Sequence, residues 1–167
     1  MITAKYTPSC TAQQLANSLT NIVNKYAHGG FVIYLTIMEM LFEEVKDKLT
    51  IVEVNTSASR EHVLEIKPQI RLIKEHVRCT TSNFLSNPIL RMVLIHVLYT
   101  CVMWINAIPR IAGAVQGISP REIVTGRMVD YKKYCQACMG GYVKASTDAI
   151  VMNDNMPRTH SCITLGP

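Results

Sequence analysis

The stretch Ser119–Val143, SPREIVTGRMVDYKKYCQACMGGYV, constrains this chain more tightly than any other. Ser119-Pro120-Arg121-Glu122 is a capping box: the serine hydroxyl can accept from a free backbone N–H of the first turn, and proline stands at the first helical position. Gly126 sits where a left-handed stop belongs. The result is a helix of about one to two turns, fixed at both ends. A cluster of tyrosines and basic residues follows, Asp130 to Tyr134, and Gly140-Gly141-Tyr142-Val143 then leads into a strand.

Ahead of that block, short apolar runs alternate with helical patterns. Residues 1 to 8 read as the tail of a strand or an extended lead-in. Ser9 or Thr11 can cap a helix to about Ala27, because Leu15, Leu19, Ile22, Val23 and Tyr26 recur at helical spacing. His28-Gly29-Gly30 stops it. Phe31 to Ile37 reads as a buried strand, Met40 to Lys48 as a helix, Ile51 to Val54 as a second strand and Asn55-Thr56-Ser57 as a turn. Strands and helices in that order argue for an α/β layer arrangement.

Arg60 to Arg78 is the most legible helix. Val63, Ile66, Ile70, Ile73 and Val77 share an inward face, and Lys67, Arg71, Lys74 and Arg78 stack four positive charges along a neighbouring one. A stripe of that kind is read either as solvated surface or as a phosphate-contacting face. Pro68 is an anomaly, because an interior proline costs a helix about 3 kcal/mol. Either the helix begins near Pro68, or the sequence has drifted from a better one. Thr80 to Pro88 is a polar break. An apolar helix follows from Ile89 to Asn106, closed by Pro109, and Tyr142–Ala145, Ala149–Met152 and Ser161–Leu165 read as late strands.

The uncharged run Met92–Ile105 extends to Ile108, about 17 residues, at the short edge of a bilayer span; Arg91 and Arg110 flank it symmetrically. A buried core helix is the favoured reading, and a small membrane protein anchored by 89–108 the less favoured one. With 167 residues, half of them apolar, the chain can bury one domain's core without disulfides. Its six cysteines follow no signal-peptide pattern, so reduced thiols and an intracellular location, cytoplasmic or nuclear, are expected. The net charge of +5 suits a nucleic acid or an acidic surface without selecting either.

No nucleophile elbow, phosphate-cradling glycine loop or zincin helix is present. Cys135 and Cys138 form a CxxC with His160 and Cys162 downstream. That set could hold zinc, but the H-x-C spacing is tighter than usual, and incidental or buried thiols are the favoured reading. His62 and His76 read as surface or boundary residues, and His96 as a core histidine with a local partner.

The order S-P-x-E-x-x-T-G, an aspartate and then G-x-Y-V resembles the block just after the integrase core in copia-type retrotransposon polyproteins, roughly T-P-Y-E-x-x-T-G-x-x-P-D followed by F-G-x-x-x-Y-V. GGFVIYLTIMEMLFEEVKD, VNTSASREHV and MPRTHSCITLGP are similar to pieces of divergent elements of that type. The resemblance implies the C-terminal part of a ribonuclease H-like core over 1–117, short strands with flanking helices, and a post-core block with a small β region over 118–167. In intact members three carboxylates hold two Mg²⁺ ions that clamp the attacking and leaving oxygens of a phosphoryl displacement.

Carried onto this chain, the triad is degenerate. The first aspartate would precede Met1. The second falls on Glu39, one methylene too long. The third, a glutamate followed by arginine, falls on Lys67 and Pro68. A register shifted by two residues would make Glu65 the candidate, but two residues turn a helix by about 200°, so Glu65 faces away from Lys67. Glu39 alone is most simply a solvated acid at a strand end.

The resemblance therefore implies an integrase-core piece, inactive in strand transfer, with no metal site and no cofactor of its own. DNA is the expected partner and a small-molecule substrate is not expected. The alternative is a nucleic-acid or protein interaction module that uses the basic helix 60–78 through Lys67, Arg71, Lys74 and Arg78.

Overall fold

The structure, a computed structural model, describes residues 1–7, 9, 11–39, 42–49, 52–57, 66–84, 89–111, 115–146 and 159–165. Helix α1 (Ala12–His28) is capped by Thr11, whose hydroxyl accepts from the Gln14 N–H at 3.4 Å. It leads to strand β1 (Leu35–Glu39), the short helix α2 (Glu43–Lys46) and strand β2 (Glu53–Ser57). The two strands are parallel, with Ile37 opposite Asn55 and Glu39 opposite Ser57. Parallel neighbours require a crossover, and α2 lies within it. Ala16 of α1, Met38 of β1, Val45 of α2, Leu49 and Val54 of β2 close one core over this unit.

The strand positions differ from those read in the sequence. Phe31 does not extend β1: its N–H bonds the Tyr26 carbonyl at 3.0 Å, and its ring meets Tyr26 edge-on at 6.4 Å, so it finishes the cap of α1. Asn55-Thr56-Ser57 is strand, not turn. Pairing with β1 supplies its backbone hydrogen bonds, and that pairing outweighs the turn preference of Asn and Ser. The expected helix over Met40–Lys48 is reduced to α2.

Helix α3 (Ile66–Ser82) packs on helix α4 (Arg91–Ala107). Within those bounds Pro68 is the third residue of the helix, in a first turn where a backbone N–H has no intrahelical acceptor. The polar residues expected to break the helix lengthen it instead. Thr80, Thr81 and Ser82 donate their hydroxyls to the carbonyls of His76, Arg78 and Cys79 at 2.8–3.0 Å. The inward face is narrower than its periodicity suggests, since Ile66 and Ile70 remain 40% and 44% exposed. Residues 58–65, including Val63, lie outside the described residues.

α4 buries Val97, Thr100, Cys101, Val102, Ile105, Asn106 and Ala107. Among the described residues no helix is long and apolar enough to cross a membrane. His96, expected in the core, is exposed and has no hydrogen-bond partner among the described residues.

The capping box is realised in helix α5 (Pro120–Thr125). Ser119 accepts from the Glu122 N–H at 3.2 Å, and Gly126 closes the helix at φ 65°. Asp130 caps a single turn, α6 (Tyr131–Tyr134), and the antiparallel pair β3 (Tyr142–Ser146) and β4 (Thr159–Ile163) follows. The expected strand Ala149–Met152 lies outside the described residues. Among the described residues the chain is α/β with two separate two-stranded sheets.

Candidate nucleic-acid interface

Helix α3 places Lys67, Arg71, Lys74 and Arg78 on one exposed face, about 60° wide when projected at 100° per residue. The opposite side of the helix is held by α4. Thr80 meets the Cys101 thiol at 3.5 Å, and the Arg110 guanidinium donates to the Gln69 side-chain oxygen at 3.4 Å. These contacts sit near the two ends of α3 and run in opposite senses along the two helices. They fix its rotation, so the cationic stripe faces solvent.

One of the four cations is engaged. Arg71 donates to the Glu75 carboxylate at 2.8 Å, the only ion pair among the described residues. The Glu75 hydrogen bond, then its charge, hold the Arg71 guanidinium above its ordinary pKa. Both partners are well exposed, 82% and 51%, so the pair contributes little to stability and is readily exchanged. The side chains of Lys67, Lys74 and Arg78 have no hydrogen-bonding or ionic partner among the described residues.

The carboxylate positions do not converge. Glu39 stands exposed at the end of β1, Lys67 stands exposed on α3, and no hydrogen bond or ion pair joins them. Glu65 lies outside the described residues. Glu39 offers one carboxylate and Lys67 an ammonium, so this pair does not fit a two-Mg²⁺ site. Among the described residues no three His, Cys, Asp or Glu side chains cluster closely enough to hold a metal ion.

Cys135 and Cys138 are exposed free thiols in the turn before β3. The Cys138 carbonyl accepts from the Gly141 N–H and from the Thr164 hydroxyl, tying that turn to the end of β4. His160 is exposed, and Cys162 donates its thiol to the His160 carbonyl at 3.7 Å.

A second group of basic side chains escaped the sequence reading. Lys25 and His28 in the last turn of α1, Arg121 of α5 and Arg127 line one cavity. Arg121 was read only as a member of the capping box. Its signal is electrostatic: a cation in the first turn of a helix opposes the helix dipole.

No family model, no curated protein and no solved structure matches the chain.

Proposed function

We propose that the chain is a non-catalytic, nucleic-acid-binding relative of the copia-type integrase core, and that α3 makes the contact. The observation that carries this reading is the exposed row Lys67, Arg71, Lys74 and Arg78, held outward by the packing of α3 on α4. Four cations along one helix face suit a phosphate backbone, and a row without base-reading partners binds by charge alone. Arg71 exchanges Glu75 for phosphate, trading one charge-assisted bond for another. Strand transfer is absent because Glu39 and Lys67 replace the acids that the chemistry needs. An intracellular location, with access to DNA, belongs to the same reading.

The test is a salt titration of DNA binding. Four neutralised phosphates give a slope of about −3 to −4 in log affinity against log salt. Lys67→Ala, Lys74→Ala and Arg78→Ala each lower that slope by about one, on every sequence tried. Binding that is indifferent to all three changes reduces the stripe to solvated surface. Nicking of DNA with Mg²⁺ or Mn²⁺ that disappears in Glu39→Ala would overturn the non-catalytic part.

A further inference from the structure

The chain carries a second cationic site of a different shape. Two adjoining cavities, of about 360 and 490 Å³, share Lys25, Arg121 and Thr125. The larger runs between the last turn of α1 and α5, and adds His28 and Arg127. The smaller runs between the N-terminal segment and α4, and has Val102 and Met103 on its wall. Among the described residues no aspartate or glutamate lines either one. Glu122 neighbours Arg121 in sequence but lies about 100° around α5 and lines neither cavity.

The walls are fixed. α1 and α5 approach so closely that a Cβ on Gly29 would sit 2.0 Å from the Val124 carbonyl oxygen. That contact sets the last turn of α1 against the Arg121 face of α5. Arg121 and Thr125, four apart, stand one above the other on that face. The Thr125 hydroxyl donates to the Arg121 carbonyl at 2.8 Å, and its oxygen accepts from the Arg127 N–H at 3.4 Å, which ties Arg127 to the same face. Across the cleft, Asn106 and the Tyr26 hydroxyl hold the backbone of Ile2 and Met1 in place.

The cations differ in what else accounts for them. Lys25 complements the C-terminal dipole of α1, and His28 donates Nδ1–H to the Asn24 carbonyl at 2.6 Å, which holds the ring at the end of that helix. Arg121 has no such account. It is half-buried, stands at the wrong end of α5 for the dipole, and its guanidinium has no acceptor among the described residues. Arg127 likewise has no side-chain partner among them. A partly buried guanidinium with its donors unused is the complement of a multidentate anion.

We infer that this cleft binds a small organic phosphate. Its phosphate monoester sits among Lys25, His28, Arg121 and Arg127, and its organic part lies toward Val102 and Met103. The site shares no residue with the α3 stripe, so either reading can fail without the other.

The experiment is an NMR titration of the full chain with phenyl phosphate, inorganic phosphate and phenol. Phenyl phosphate is expected to shift resonances of both cavities and to bind more tightly than inorganic phosphate, with phenol not binding. Arg121→Gln and the more exposed Arg127→Gln should each raise the phenyl phosphate Kd about tenfold, the loss of one charge-assisted hydrogen bond. The triple change Lys67→Ala, Arg71→Ala, Lys74→Ala should leave it unaltered. Duplexes with 5′-phosphate and 5′-hydroxyl ends identify the source: a preference for the phosphorylated end that is lost in Arg121→Gln assigns the monoester to a nucleic-acid terminus, and equal binding assigns it to a free small molecule. Shifts spread equally over α3 and the cleft, or a Kd insensitive to both arginine variants in folded protein, would overturn the inference.

Discussion

The side chain of Asn106 pairs with the backbone of Ile2 as a neighbouring strand would. Its carbonyl oxygen accepts from the Ile2 N–H at 2.7 Å, and its amide donates to the Ile2 carbonyl at 2.7 Å. Asn106 is 7% exposed, near the end of the apolar helix α4. Tyr99, two turns earlier, accepts from the Tyr6 N–H at 2.6 Å, and Arg91 stacks over the Tyr6 ring at 5.7 Å. The first residues therefore run antiparallel to α4 as an extended strap, not a strand of a sheet. A polar residue in the buried half of α4 is thus satisfied by the backbone of the N-terminal segment.

Asn106→Leu should therefore destabilise the fold although leucine is the more apolar residue. It strands both backbone groups of Ile2, at about 1–3 kcal/mol for each buried group left unpaired. Urea unfolding followed by Trp104 fluorescence reads the loss. A midpoint equal to that of the parent would show that the strap is not held by this pair.

Trp104, the single tryptophan, stacks on Tyr131 with ring centroids 6.2 Å apart and planes at 17°. The Tyr131 hydroxyl donates to the Ala107 carbonyl at 2.9 Å, an acceptor freed by the end of α4. The one-turn helix α6 is thus fastened to α4 by one ring. Tyr131→Ala should cost about 0.5–1.5 kcal/mol beyond the area it exposes and shift Trp104 emission to the red. Tyr131→Phe should keep the emission and lose about 0.5–1.5 kcal/mol, the hydrogen bond alone.

What was legible in the sequence is what neighbours in the chain decide. Ser119 and Glu122 cap α5, Gly126 ends it, and Thr11 starts α1, because each partner lies within a few residues. The buried C-terminal half of α4 was legible in its lack of charge, but the exposure of Met92, Leu94 and His96 in its first half was not. The strand limits were not, since β1 and β2 take their register from each other and not from local preference. The strap was not, because Ile2 and Asn106 stand 104 residues apart. The basic stripe could be placed from spacing alone. The cleft could not, because Lys25 and Arg121 come together only through the meeting of α1 and α5.

Gly29 and Gly30 both looked like a helix stop, and they do different work. Gly30 is the left-handed residue, φ 82°, with nothing within 4 Å of where a Cβ would stand. Gly29 has an ordinary φ of −84° but lies against the Val124 carbonyl. Gly30→Ala should cost about 1–2 kcal/mol, the conformational penalty of that backbone. Gly29→Ala should cost more, because backbone must move. It should also perturb the resonances of α5, which Gly30→Ala leaves in place. Equal effects of the two changes would mean that α1 and α5 do not approach this closely.

The parallel pair β1–β2 is covered on one face only. Met38 and Val54 point into the core, while Leu35 and Ile37 on the other face are 49% and 51% exposed, with Val32 and Tyr34 beside them at 70% and 79%. Parallel sheets are ordinarily buried on both faces, so this surface favours self-association over solution. Placing one charge on it should relieve that tendency at little cost, because Ile37 contributes nothing to the core and its neighbour across the strand is the exposed Asn55. Ile37→Lys is expected to raise the soluble yield and to reduce concentration-dependent light scattering, with unfolding unchanged within about 0.5 kcal/mol. Met38→Lys, one residue on, turns inward and should abolish folding. If Ile37→Lys behaves like Met38→Lys, the outer face of β1 is buried in solution and the sheet has a second covering layer.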